Sequence, residues 1–374
     1  MTQATASFAG VRFPRSSGWG ATLGLYAASL GGALLLVAVL VTVSGYSAWD
    51  TLLALYQGSL QGGASIGLTI DEAAPLLLVA MGSIICTQAG LFNIGQEGQL
   101  VIGAMTGAAI AMYCPGPGPL VLVAALCGAA AGGAAWAGIA GLLYYWRRVD
   151  VVICSLLLVF VAMQVVSFAV SRPYLLQETA VSGQTLIPES DLLPSSERLP
   201  RLGSYPDLNV GTGVFVALAL TLLAALALRY GRWGFRLRML GHNPTAARRA
   251  GVRAALLGTG AVVLSGAFAG LAGGVMLTGS SYRIQDGFAD NVGWEGLLVA
   301  LMARNRPAFA VPVALFFGGL RAGGGFLAST GVPRYLVSMM TALLVLAAVF
   351  PVAFQEARRF QRGRAAARAA AAGR

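Results

Sequence analysis

The sequence predicts an all-α, polytopic membrane protein of about ten transmembrane helices, arranged as an inverted five-plus-five repeat. Three observations carry that expectation. Only 10% of the 374 residues are charged and 57% are hydrophobic, whereas soluble domains hold about 25% charged residues. Ten apolar runs punctuate the chain, and a hydrocarbon core about 30 Å thick needs roughly 20 such residues per helical crossing. A nine-residue motif also occurs twice, 198 positions apart.

The apolar runs cover residues 22–43, 73–89, 98–113, 120–146, 151–170, 210–228, 256–278, 292–303, 307–320 and 332–354. Several are shorter than a full crossing, which implies spans that are broken, tilted or shielded by neighbours. Residues 48–70 are less apolar and read as an interfacial or outer helix. The first run is too long for a signal-peptide core and lacks an obvious small-residue cleavage site, so it reads as a retained span. The 50 glycines sit within apolar runs, where small residues let helices approach closely. Cys86, Cys114, Cys127 and Cys154 lack metal-ligand spacing, and no metal site or disulfide framework is expected.

A formal net charge of +11 comes entirely from arginine, because the chain has no lysine. The arginines cluster between apolar runs, a pattern of topology rather than nucleic-acid binding. Arg12 and Arg15, Arg147 and Arg148, seven arginines from Arg229 to Arg253, Arg304 and Arg306, and six from Arg358 to Arg374 make nineteen of twenty-five. With ten spans, all nineteen fall on one side, so both termini are expected in the cytoplasm. The opposite side receives Asp50, Asp71, Glu72, Asp286, Asp290 and the acidic, proline-rich segment 172–209. The expected organisation is a cytoplasmic segment 1–21, a membrane domain 22–354 with an extracytoplasmic loop 172–209 and a cytoplasmic loop 229–255, and a low-complexity cytoplasmic tail 355–374.

The repeated motif runs from Asn93 to Val101 and from Asn291 to Val299, with six of nine positions identical. Asn and Glu are rare in this chain, so the recurrence of Asn93 and Glu97 as Asn291 and Glu295 outweighs the matches among apolar residues. An odd number of spans separates the copies, which would invert the two halves, a recurrent transporter plan with broken helices at the shared interface. Two readings stand for these residues. They line a translocation path, as ionisable groups at membrane depth suggest, or the Glu residues sit in first helical turns with the Asn residues as N-caps. Phe92 and Trp294 lie beside the copies and could stack on a solute or simply pack.

Between the sixth and seventh spans lies Gly241-His242-Asn243-Pro244-Thr245-Ala246-Ala247-Arg248. Gly241 reads as a flexible break, Asn243 as a cap and Pro244 as the first residue of a short helix ending at Gly251. Such a helix could transmit force, or the segment is only a positively charged loop. His242, the sole histidine, reads as a loop residue.

Two segments carry a family resemblance. Ala74-Pro75-Leu76 through Gly90-Leu91-Phe92-Asn93-Ile94-Gly95-Gln96-Glu97-Gly98-Gln99, with the loop from Gly241 to Arg248 and Gly251, resembles permeases of the branched-chain amino acid and simple-sugar ABC importer family. The nucleoside-type branch is the nearest. The resemblance extends from about Ala73 to Phe350. It implies a bacterial inner-membrane subunit that pairs with a second permease, a cytoplasmic ABC ATPase and an extracytoplasmic substrate-binding lipoprotein. It also implies that Gly241, His242, Asn243, Pro244, Thr245, Ala246 and Ala247 form the coupling helix that seats on the ATPase. Members often carry Asn-Glu-Val-Ile at the start of the fifth span and an Asn within it. Here Asp150-Val151-Val152-Ile153 and Val159 stand in those places.

The leading function is therefore ATP-driven import of nucleosides or related solutes, with a monosaccharide or branched-chain amino acid as the alternatives within transport. The chain lacks a P-loop motif and any lysine to complete one, so ATP is expected at the partner ATPase and no cofactor on this subunit. An intramembrane enzyme is disfavoured by the single histidine and the absence of catalytic motifs. An ion-coupled secondary transporter using Glu97 and Glu295 is the alternative of another class.

Overall fold

The computed structural model describes residues 19–179, 187–204, 207–333, 335–351 and 354. The tail 355–374, most of the N-terminal segment 1–21 and part of the loop 172–209 lie outside the described residues. Helices are α1 (Trp19–Val43), α2 (Ala48–Leu60), α3 (Gly63–Gln88), α4 (Gln96–Tyr113), α5 (Gly118–Arg147), α6 (Val151–Val170), α7 (Gly213–Tyr230), α8 (Arg232–His242) and α9 (Pro244–Arg249). They are followed by α10 (Ala254–Met276), α11 (Val292–Met302), α12 (Pro307–Ser329) and α13 (Tyr335–Pro351). The last turn of α10 widens into π geometry over Leu277–Ser281.

Two compact units are present. The larger spans Trp49–Val337. The smaller joins α1 to the described residues from Ser338 onward, and within it Ser29 donates to the carbonyl of Ala347 at 2.6 Å.

In the larger unit α3 is the central helix, buried almost continuously from Ala73 to Cys86 and packed against α7, α10, α11 and α12. Beside it, α4, α5 and α10 meet along a seam of small residues. A Cβ on Gly133 of α5 would lie 2.7 Å from the Cα of Gly270 in α10. Only glycine permits that separation, and tight van der Waals packing replaces the hydrophobic drive that lipid cannot supply.

Each of the ten apolar runs is helical over most of its length. Six helices among the described residues are long and apolar enough to cross a membrane, or up to seven when Gly31–Val43 and Ala48–Leu60 are counted together. The difference from ten has identifiable causes. The first turn of α4 is polar, α11 has only 11 residues, about 16 Å or half a hydrocarbon core, and the described part of α13, Tyr335–Pro351, is also short of a full crossing.

Boundaries also differ from those expected. Residues 48–70 form α2 and the first turns of α3, which begins at Gly63 rather than 73. Asp71 and Glu72, which end the apolar run, are absorbed into α3 because each has a partner. Asp71 accepts from Arg201 at 2.5 Å and from the backbone of Gly211 at 2.7 Å. Those partners lie on a short antiparallel pair, β1 (Arg201–Leu202) and β2 (Val210–Gly211), which delays α7 to Gly213. The loop is further fastened to the end of α10 by Leu199 N–H on Thr278 O at 2.9 Å and Ser190 N–H on Ile284 O at 2.9 Å.

Candidate functional site

The chain leaves α3 through Gly90, whose φ of 74° lies in the left-handed region that favours glycine. It then turns into α4 at Gly95. Asn93 sits between them and is buried. Its Oδ1 accepts from the Gly95 backbone and from Gln99 Nε2, both at 3.1 Å. Its Nδ2 donates to Gln99 Oε1 at 2.8 Å and to Ser265 Oγ at 3.0 Å. Gln96 completes the network: Nε2 donates to Val79 O at 3.0 Å, and Oε1 accepts from Ser83 at 2.5 Å. Polar groups from α3, α4 and α10 thus satisfy one another where water is excluded, which a buried amide requires. Asn93 is not the N-cap of α4. That position is Gly95, which makes no side-chain cap.

Glu97 is 2% exposed. Its carboxylate faces the start of α11, where Oε1 accepts the backbone N–H of Asn291 at 3.0 Å and Oε2 that of Gly293 at 2.6 Å. The first motif copy therefore caps the helix that the second copy opens. A carboxylate belongs there because the first N–H groups of a helix have no internal partner and the macrodipole is positive. Asn291 holds the N-cap position at φ 64° but makes no side-chain cap, and it is exposed. Glu97 does this work in its place. A Cβ on Gly293 would fall within 2.6 Å of Glu97 Oε2, so the approach needs glycine.

Glu295 has a different environment. It pairs with Arg321 Nη1 at 3.2 Å, while the same guanidinium holds Glu72 through Nε at 2.9 Å and Asp290 through Nη2 at 2.9 Å. Three carboxylates surround one cation, and α3, α11 and α12 are joined there. The two halves of the repeat are thus chemically unlike. One glutamate caps a helix, and the other belongs to an ion cluster.

Phe92 and Trp294 are each half-buried. Val159 packs its Cα beneath Gly98, and Ser155 Oγ accepts from Ile94 N–H at 3.2 Å, so α6 backs the first turn of α4. Asp150 caps α6, accepting from Val152 N–H at 2.8 Å. Sequence reasoning missed Ser83, Gln96, Gln99, Ser265 and Arg321. Arg321 had a readable signal, since it is one of six arginines outside the nineteen that share a side. Ser265 had none, because serine within an apolar run is commonplace.

In the arginine-rich loop α9 starts as expected. Asn243 Oδ1 accepts from Ala246 N–H at 3.0 Å, Pro244 opens the helix, and Gly251 follows it at φ 81°. His242 to Ala246 are exposed and Ala247 is buried. Gly241 is not a flexible break. It is helical within α8 and lies against Gly90, where a Cβ would come 2.9 Å from the Gly90 nitrogen. The break falls at Asn243, which is extended. No group of histidine, cysteine and acidic residues among those described could hold a metal ion.

Comparison with known proteins adds the family. Residues 65–349 match the model described as the branched-chain amino acid transport system permease component. A glucose ABC transporter permease protein of Haloferax volcanii is 33% identical over 294 residues, 76% of each chain. A guanosine ABC transporter permease protein of Bacillus subtilis is 31% identical over 311 residues, 83% of this chain and 88% of that one. A second guanosine ABC transporter permease protein of Bacillus subtilis is 28% identical over 259 residues, 67% of this chain and 78% of that one. This chain is a multi-pass transport subunit rather than an enzyme, and it belongs to the family of branched-chain amino acid transport system permease components.

Proposed function

We propose that this permease forms one half of the membrane pathway for ATP-driven import of a nucleoside or a closely related, hydroxyl-rich solute. The observation that carries the reading is the junction of α4 and α11, two helices whose N-termini meet through Glu97 at the point where the motif repeats. Ten spans in two inverted halves would place that junction at membrane depth. In this reading Glu97 and Asn93 hold the junction, their polar atoms being spent on protein partners. Asn291 and Phe92 are left to face the solute, with Glu295 beside them held in the Arg321 ion cluster. An amide and an aromatic ring suit a sugar hydroxyl and a base.

The relatives' substrates, glucose and guanosine, have hydroxylated rings in common, which supports a monosaccharide as the second reading and gives less support to a branched-chain amino acid. An ion-coupled carrier loses its basis with the family match. Two guanosine permeases in one relative's organism support a heterodimer of this chain with a second permease. Energy would come from a cytoplasmic ABC ATPase seated on α9, whose exposed face and buried Ala247 suit a docking element. An extracytoplasmic substrate-binding lipoprotein would deliver the solute to the 172–209 side. Both termini and the loop 229–255 would then face the cytoplasm of a bacterial inner membrane.

The test is uptake of labelled guanosine, adenosine, glucose and leucine by the reconstituted complex with and without ATP. Nucleoside uptake that requires ATP is expected. Uptake of leucine alone would sink the substrate assignment, and uptake driven by an ion gradient without ATP would sink the mechanism.

A further inference from the structure

Where α7 passes into α8, Arg229, Tyr230, Arg232, Phe235, Arg236 and Arg238 enclose a shallow cavity of about 390 Å³. Four of these residues are arginines, and like charges on neighbouring side chains repel one another. Among the described residues no carboxylate relieves them, since the ion pairs there engage Arg201, Arg283 and Arg321. Arg238 donates to the carbonyl of Leu228, fastening α8 to the end of α7, and Arg229 lies 5.3 Å over the ring of Tyr230. Arg232 and Arg236 stand one helical turn apart and are exposed. The cavity is thus a cationic receptacle without an anion of its own.

The surface leading to it is apolar. On α7, Leu222, Leu226 and Tyr230 recur every four residues and are 60%, 45% and 72% exposed, while Ala217, Thr221 and Leu228 on the other face are buried. Phe235 of α8, 61% exposed, continues the apolar surface to the rim of the arginine cavity. A hydrocarbon-facing stripe that ends in an aromatic residue and a cluster of arginines matches the layering of a lipid monolayer, with acyl chain, interface and phosphate in turn.

We infer that this cavity binds the phosphate of an anionic phospholipid whose acyl chain lies along Leu222 and Leu226. Arg232 and Arg236 supply the charge-assisted hydrogen bonds, for which the planar guanidinium suits phosphate oxygens. Tyr230 and Phe235 bracket the head group at the interface. The lipid neutralises the repulsion among the arginines and fixes the angle at which α8 leaves α7, the angle that carries the chain on to α9. An acidic protein surface would satisfy the arginines equally well, but it would leave the apolar stripe beside them without a role.

The inference is tested by native mass spectrometry of the assembled permease complex after delipidation, with phosphatidylglycerol or phosphatidylcholine added back. The parent should retain phosphatidylglycerol in preference. Dioctanoyl phosphatidylglycerol should displace it, and inorganic phosphate at the same concentration should not. Arg232→Gln with Arg236→Gln should lower retention about tenfold, and Arg→Lys at both positions, which keeps the charge but not the planar fork, should restore only part of it. Four results would overturn the site: equal retention of the two lipids, unchanged retention in the glutamine variant, displacement by inorganic phosphate, or an equal loss on Arg248→Gln with Arg249→Gln. Release of the ATPase by the glutamine variant with lipid retained would identify a protein-docking surface instead. The lipid preference and the competition need no variant, so they decide the matter even if the substitutions impair assembly.

Discussion

Glu97 Oε2 and the backbone nitrogen of Gly293 are 2.6 Å apart, which makes the side chain of one motif copy the cap of the helix that begins at the other. Replacing Glu97 with Gln keeps the shape but puts an amide NH₂ where one carboxylate oxygen accepts an N–H. One of the two backbone donors then loses its acceptor, at a cost of about 1.5 to 3 kcal/mol for a hydrogen bond to a charged group. A lower melting temperature of the purified complex is expected, with transport falling in parallel. A variant that melts and transports like the parent would remove Glu97 from the junction.

The adjacent glycines of α12 offer a matched pair. A Cβ on Gly318 would lie 2.5 Å from the carbonyl oxygen of Thr69, whereas the nearest atom to one on Gly319 is 3.7 Å away. Gly318→Ala must push α12 away from α3 and should lower stability by about 1 to 3 kcal/mol. Gly319→Ala should stay close to the parent. Equal melting temperatures for the two variants would show that α12 and α3 are not held at this distance.

How far the sequence could be read is explained by the same junction. Apolar runs located the helices because lipid demands them, and Asn243 and Pro244 located α9 because capping is local chemistry. The repeat drew attention to Glu97 and Glu295, but a repeated motif alone does not fix whether its two copies share a role. The partners that distinguish them, the α11 backbone and Arg321, come from distant parts of the chain. The start of α3 was missed for a related reason. Asp71 and Glu72 read as the end of a span until Arg201 and Arg321, 130 and 249 residues away, are seen to pair with them.

Arg321 holds Glu72, Glu295 and Asp290 together, and the first two of these acids are at least two-thirds buried. Arg321→Gln would leave carboxylates facing one another without a cation, and a loss of about 2 kcal/mol or more is expected after discounting for partial exposure. Asp290 is 74% exposed and should contribute little. Adding Glu72→Gln and Glu295→Gln to the Arg321 variant should restore part of the stability, which thermal melts of the single and combined variants would register. No recovery in the combined variant would mean that Arg321 acts through packing alone.

The coupling assignment separates four positions between Gly241 and Ala247. Ala246 is exposed and Ala247 buried, while Gly241 faces the backbone of Gly90. Ala246→Trp should leave the melting temperature of the isolated permease unchanged and, if α9 seats on the ATPase, abolish transport-linked ATP hydrolysis, because it alters only the exposed face of α9. Ala247→Trp and Gly241→Trp should instead lower stability, the first by overfilling a buried site and the second by driving α8 off the end of α3. Asn243→Ala should weaken coupling less than Ala246→Trp, since it removes one helix cap worth about 1 kcal/mol and leaves the exposed face of α9 in place. The checks are ATPase assays of the reconstituted complex beside melts of the permease alone. If Ala246→Trp hydrolysed ATP in step with transport like the parent, α9 would not be the element that meets the ATPase.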